Sequence, residues 1–408
     1  MESAKLIASL ARIVRDVGLA EELAQDALVA ALEQWPESGV PNNPGAWLMA
    51  SAKNRAINVF RHRKVVERKH QQLGREIDDD SAHSSDALED AIDDDIGDDL
   101  LRLVFTACHP ELSTEARVAL TLRLLGGLTT DEIARAFLVP EPTIAQRIVR
   151  AKRTLAEKKV PFEVPRGEEL GPRLASVLSV IYLIFNEGYS ATAGDDLMRP
   201  ALCEDALRLG RILAQLVPGE PEVQGLLALM ELNASRSAAR MAPSGDPVLL
   251  LNQNRATWDR IQIDRGLAAL ARAKAFGGAP RPYQLQAAIA ACHARALTPD
   301  ETDWARIAAL YGELARLTPT PVIELNRAMA VSMVNGPAAG LELIDALMDQ
   351  PLLRDYHLLP SARADLLAKL GRKQEAREEY ERAASLARNA RQRARLLELA
   401  AHCARTTP

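Results

Sequence analysis

The chain has 408 residues, of which 48% are hydrophobic but only 4% aromatic, and its formal net charge is −5. That length predicts two to four domains, and the Ala-, Leu- and Arg-rich composition favours an all-α protein. Cys108, Cys203, Cys292 and Cys403 are widely spaced with no CxxC pair, and the longest apolar run, Leu174 to Phe185, is too short for a bilayer. No zinc site, disulfide frame or membrane span is therefore signalled, no signal peptide opens the chain, and a cytoplasmic protein is expected.

Residues 3–35 read as two helices separated near Gly18. Leu6, Ile7, Leu10, Ile13, Val14 and Val17 form one apolar stripe; Leu23, Ala27, Ala30 and Ala31 form part of the next. Glu21, Glu22, Gln25, Asp26 and Glu33 give the second helix an acidic face, which either meets water or docks a basic partner. Pro36 to Gly45 is a loop by composition, around Asn42-Asn43. A helix resumes at Ala46-Trp47-Leu48. Between Lys53 and Arg75 there are eight Lys or Arg and one acid, Glu67, a footprint for a polyanion. Trp47, flanked by small and apolar residues, reads as core rather than a stacking platform.

The charge then inverts. Asp78 to Asp99 holds eleven acids and no Lys or Arg, a linker composition that buries too little apolar surface to order itself. Leu100 to Leu125 gives two more helices, the first ending at His109-Pro110 and the next starting at Ser113.

Gly127 to Leu155 reads as a helix-turn-helix. Thr130 is the candidate first cap, and Ile133, Ala134 and Phe137 recur at helical spacing. Val139-Pro140 breaks the pattern. Thr143 is a candidate second cap before the stripe Ile144, Ile148, Ala151 and Leu155. Arg147, Arg150, Lys152 and Arg153 lie off that stripe, a basic face that suits a major groove, although an ordinary helical hairpin shares the pattern.

Val160 to Pro172 is a Pro/Gly junction. Beyond it the chain is helix upon helix. Leu174 to Phe185 reads as a buried helix that Asn186-Glu187-Gly188-Tyr189 ends. Pro243 to Trp258 is a loop. Val322 to Leu347 and His357 to Arg382 align about Asn335-Gly336 and Leu370-Gly371, with Tyr283 to Leu317 a degenerate earlier copy. Helical hairpins of this period suit the tetratricopeptide class, which presents a concave binding face.

Gln25-Asp26, the loop to Gly45, Trp47-Leu48, Asn54-Arg55-Ala56 and Arg61-His62-Arg63 together resemble the second conserved domain of extracytoplasmic-function sigma factors of bacterial RNA polymerase. Leu100 to Lys159 resembles their fourth domain. Gly245-Asp246-Pro247, Leu325-Asn326-Arg327-Ala328 and Leu358-Leu359-Pro360 are similar to the subgroup with a fused tetratricopeptide-like extension. The resemblance implies sigma domain 2 at 1–70, an acidic linker at 71–99, sigma domain 4 at 100–160, and a helical extension at 173–408, clearest in 283–390.

It also implies roles. Glu22, Gln25 and Asp26 would dock on the basic clamp of the largest polymerase subunit. Asn42 and Asn43 would receive a flipped base of the minus-ten element, and Lys53, Asn54, Arg55, Asn58 and Arg61 would hold the melted strand. Pro142, Thr143, Gln146, Arg147 and Arg150 would read the minus-thirty-five element. No cofactor, metal or catalytic residue is implied. The extension would contact the sigma domains and regulate them in cis. Two other classes fit parts of the chain. One is a ligand-responsive helix-turn-helix regulator with a solenoid sensor. The other is an enzyme in Leu174 to Asp264, where no nucleophile–base pair, metal cluster or phosphate loop is found.

Overall fold

The computed structural model describes residues 2–71, 96–242 and 246–405; most of the acidic run, at 72–95, and Gly245 lie outside them. Among the described residues there are eighteen α-helices and no strand. The chain divides into two compact units, residues 1–180 and 181–408.

In the first unit, α1 (Glu2–Val14) and α2 (Val17–Ser38) part at Arg15, not at Gly18. Arg15 adopts a left-handed φ of 54°, and the Asp16 carboxylate accepts the Leu19 amide at 3.0 Å, capping α2. Gly18 is thus already inside α2, where a Cβ would lie 3.6 Å from Lys152 Cδ. α3 (Pro44–Gln71) follows, its first turn capped by Asn43 Oδ1 on the Ala46 amide at 3.1 Å. Trp47 is half-buried and packs edge-on against Trp35, with centroids 5.5 Å apart.

Next come α4 (Ile96–Ala107), α5 (Thr114–Thr121) capped by Ser113, a π-helical turn over Leu122–Gly126, α6 (Thr130–Phe137) and α7 (Glu141–Glu157). α1 packs on α2, α3 and α4, while α5 and α6 pack on α7. Ile7, Leu10, Leu103, Phe105, Leu120, Ile133 and Ile144 are fully buried in this unit, each burial contributing about 1.5–3 kcal/mol.

α8 (Leu170–Tyr189) carries the division between the units. Its first turns belong to the first unit. There Arg173 donates to the Phe105 carbonyl at 3.2 Å, Ser176 Oγ donates to the Cys108 carbonyl at 2.7 Å, and Arg117 donates to Ser176 Oγ. These bonds satisfy carbonyls that the end of α4 leaves without helical partners. Burial pushes the Cys108 thiol up to about 11, as suits an inert core cysteine.

The second unit stacks α9 (Pro200–Leu216), α10 (Pro221–Ala234), α11 (Arg260–Ala275), α12 (Pro282–Arg295), α13 (Trp304–Leu317), α14 (Pro321–Asn335), α15 (Pro337–Asp345), α16 (Leu358–Lys369), α17 (Lys373–Leu386) and α18 (Ala390–Arg405). Sequence neighbours pack on one another throughout. α9, α10, α12, α14 and α15 begin with proline, which loses nothing where the amide has no helical partner. The predicted repeat corresponds to the hairpins α14–α15 and α16–α17, turned at Gly336 (φ 91°) and Gly371 (φ 78°). The link before α18 returns to the loop before α9: the Ala390 amide donates to the Gly194 carbonyl at 3.0 Å, and Asn389 Nδ2 to that of Asp196 at 2.8 Å.

Asn186 to Tyr189 continues α8 to its end. Glu187 is buried and paired with Arg199, and Thr192 Oγ1 donates to it at 3.0 Å. Gly188 is required by close approach: a Cβ there would lie 2.5 Å from the Cys203 backbone nitrogen. Backbone cannot yield cheaply, so Gly188→Ala is expected to cost about 1–3 kcal/mol. An unchanged thermal midpoint would contradict this packing.

Candidate nucleic-acid interface

The helix-turn-helix is built by local chemistry. Thr129, not Thr130, caps α6: its Oγ1 accepts the Glu132 amide at 3.2 Å while Glu132 Oε2 accepts the Thr129 amide at 2.7 Å. Two adjacent threonines made the sequence ambiguous by one position. Leu138 turns the chain in the left-handed region (φ 52°). Pro140, not Thr143, stands at the start of α7, and its carbonyl accepts the Thr143 amide at 2.9 Å.

On α7 the stripe Ile144, Ile148, Ala151 and Leu155 is buried. Pro142, Gln146, Val149 and Arg150 are exposed, and Thr143 and Arg147 are half-buried. Among the described residues no carboxylate lies within ion-pair distance of Arg147 or Arg150. The other two cations expected on the free face are engaged. Arg153 pairs with Glu157 at 2.6 Å. Lys152 pairs with Glu21 of α2 at 2.5 Å. Truncating Arg147 or Arg150 to Ala is expected to cost about 1–3 kcal/mol of affinity for a cognate duplex if the side chain pairs with a base edge. A phosphate contact would instead lower affinity alike on every sequence and flatten the salt slope. Unaltered binding and salt dependence in both variants would exclude this helix as the reader.

α2 presents Glu22, Gln25 and Asp26 to solvent, together with Val29 and Leu32. Glu21 does not share that face. It is 4% exposed and held by Arg123 Nε at 2.6 Å as well as by Lys152. The signal was present in the sequence, because Glu21 falls on the apolar stripe of Val17, Ala20, Ala24 and Ala27, one helical turn from Val17 and from Ala24. A second ion-pair group joins α1 to α4: Arg12 meets Asp99 at 3.0 Å, and Arg102 meets it at 2.7 Å. Burial still raises the Asp99 carboxyl above its usual range, against the pull of both guanidiniums. The pairs therefore offset desolvation rather than exceed it.

On α3, Asn54, Asn58 and Arg61 are exposed along one side. Asn42 is exposed, while Asn43 is exposed and also caps the helix. Lys53 and Arg55 are half-buried. Burial, then the Arg12 charge, lowers the Lys53 ammonium. Arg55 reaches Asp26 at 3.4 Å in a solvent-exposed pair, which contributes little. Among the described residues no group of His, Cys, Asp and Glu is placed to hold a metal ion, and no helix is long and apolar enough to cross a membrane.

Residues 2–65, which hold α1, α2 and most of α3, match the family Sigma-70 region 2. Residues 102–155, which end in the helix-turn-helix, match Sigma-70, region 4. Residues 173–274 match a family of unknown function, DUF6596. An uncharacterized protein of Rhizobium meliloti (strain 1021) is 43% identical over 383 residues, spanning 94% of this chain and 89% of its own. The chain belongs with that protein to one family, and its two matched regions make it a sigma-70-family RNA polymerase sigma factor that acts in promoter recognition.

Proposed function

We propose that the protein is a sigma factor of the extracytoplasmic-function group, working in the cytoplasm. The face Glu22, Gln25 and Asp26 docks on a basic coiled coil of the polymerase clamp. Asn42, Asn43, Lys53, Asn54, Arg55, Asn58 and Arg61 engage the minus-ten element, and Pro142, Thr143, Gln146, Arg147 and Arg150 engage the minus-thirty-five element. Such a subunit lends recognition to the polymerase and performs no chemistry of its own.

The observation that carries this reading is the segregation of charge on the first unit. Exposed acids and apolar residues cluster on α2, and cations without carboxylate partners line α7. Opposite charge steers two different partners to two different faces. The Glu21 contact implies a further step. The two promoter elements lie roughly 80 Å apart at about 3.4 Å per base pair, whereas Glu21 and Lys152 are in direct contact. Regions 2 and 4 therefore separate when both elements are engaged.

The helical extension is tetratricopeptide-like and regulates the sigma regions in cis. Supporting this, α8, whose residues from 173 onward fall in the extension's matched family, hydrogen-bonds to α4 and α5 through Arg173 and Ser176. The test of docking is the double variant Gln25→Lys/Asp26→Lys, titrated against core polymerase. Affinity is expected to fall about tenfold or more, a change of at least about 1.4 kcal/mol. Undiminished affinity would sink the docking assignment.

A further inference from the structure

In the second unit, buried carboxylates are matched by cations: Glu187 by Arg199, and Glu231 by Arg211 at 2.7 Å. The cluster around Arg236 breaks that pattern in the opposite sense. Arg236, Arg240 and Arg255 have no carboxylate within ion-pair distance among the described residues. Arg240 lies 3.7 Å above the Tyr189 ring centre and donates to the Tyr189 carbonyl. Arg255, only 3% exposed, donates to the carbonyls of His293 and Ala296 and to Thr302 Oγ1 at 2.8 Å. A ring face, carbonyls and a hydroxyl thus engage these two, Arg255 Nε excepted.

Arg236 is different. Its contacts are Asn233 Oδ1 at 3.2 Å and the same Tyr189 ring at 5.5 Å, which leave most of a guanidinium's N–H groups unused. Around it, Tyr189 Oη, Arg255 Nε, Trp258 Nε1 and His293 Nδ1 are buried without a hydrogen-bond partner. Buried polar groups are ordinarily paired, so several unpaired ones in one cluster call for a partner from outside the chain. Three of those four are donors. The charge is felt locally: burial, then Arg236 and Arg255, pushes His293 down to about 4, and Arg236 also acts on Tyr311. Aromatic rings pair in the same unit, one pair including His293, on which Arg236 acts. Tyr182 packs edge-on against Tyr283 at 5.4 Å, and His293 against Trp304 at 5.2 Å.

We propose that the Arg236 cluster is a binding site for a small oxyanion, a carboxylate or phosphate borne on an apolar body. The guanidinium of Arg236 takes the oxyanion in a charge-assisted pair. Tyr189 Oη and Trp258 Nε1 supply further donors, and the neighbouring aromatic rings, Tyr189 among them, meet the apolar body. This inference goes beyond the sigma assignment and does not rest on it.

The test is calorimetric titration of the full chain with benzoate and with phenyl phosphate, with phenol as the uncharged control. Binding of one or both anions without phenol is expected, and which anion binds separates a carboxylate from a phosphate ligand. Arg236→Gln should weaken that binding about tenfold or more. Arg236→Lys should retain part of it, and Arg265→Gln, at an exposed position, all of it. Circular dichroism melting checks each variant's fold. Should Arg236→Gln not fold, the anion-over-phenol preference of the wild type and the partial retention in Arg236→Lys carry the decision. The proposal is overturned by no binding of either anion at about 10 mM, by equal binding of phenol, or by undiminished affinity in a folded Arg236→Gln protein.

Discussion

Replacing Glu21 with glutamine is expected to destabilise the first unit by about 3 kcal/mol. Removing one partner from a buried ion pair costs about 3–5 kcal/mol, because the surviving charge is left without compensation. The lower end applies here for two reasons. Arg123 and Lys152 are 23% and 22% exposed at the side chain, so water reaches them, and Arg123 keeps a bond to the Leu128 carbonyl at 3.2 Å. Arg135→Gln is the contrast. Its pair with Asp131 is exposed on both sides, so a change within about 0.5 kcal/mol is expected. Urea unfolding followed by circular dichroism reads both. Fluorescent labels on α3 and α7 should in addition show the two regions drifting apart in Glu21→Gln. Equal stability and equal label distance would show that the contact does not hold the regions together.

Ending the chain after Arg166 is the second large perturbation. That cut removes the turns of α8 that bond to α4 and α5, leaving the Phe105 and Cys108 carbonyls without their side-chain donors and Arg117 without Ser176. Each lost bond costs about 0.5–1.5 kcal/mol. Leu174 and Val177, buried at 5% and 0%, leave with the helix. Residues 1–166 should therefore unfold at lower denaturant than residues 1–180, by about 2–5 kcal/mol in total. Matching midpoints for the two fragments would mean that α8 is not part of the first unit's stability. The comparison also bears on transcription: a loss of activity in 1–166 that 1–180 recovers belongs to folding, not to regulation by the extension.

The fold was legible in the sequence where apolar periodicity was strong. The stripes of α1 and α7, the break at Val139-Pro140 and the Gly336 and Gly371 turns all follow from spacing and backbone chemistry. Boundaries were less legible, because several residues could cap. Asp16 took the role that a break at Gly18 would have required, and Thr129 took the one expected of its neighbour. Charge was the least legible property. Glu21 and Lys152 both belong to charged stretches, yet each is committed to the other across more than a hundred residues of chain. Such a pairing is set by how α2 meets α7, which no local pattern reports. The same limit hid the Arg236 cluster, whose members come from segments that share no motif.

The central claim is that this chain gives RNA polymerase its promoter. The direct measurement is run-off transcription with purified core polymerase and a template carrying the DNA upstream of the protein's own coding region. A discrete transcript that needs the chain, and that is lost in both Gln25→Lys/Asp26→Lys and Arg147→Ala/Arg150→Ala proteins with folding intact, is the predicted result. No chain-dependent transcript, together with tight specific binding of that DNA by the chain alone, would contradict it and mark a regulator that reads DNA without the polymerase.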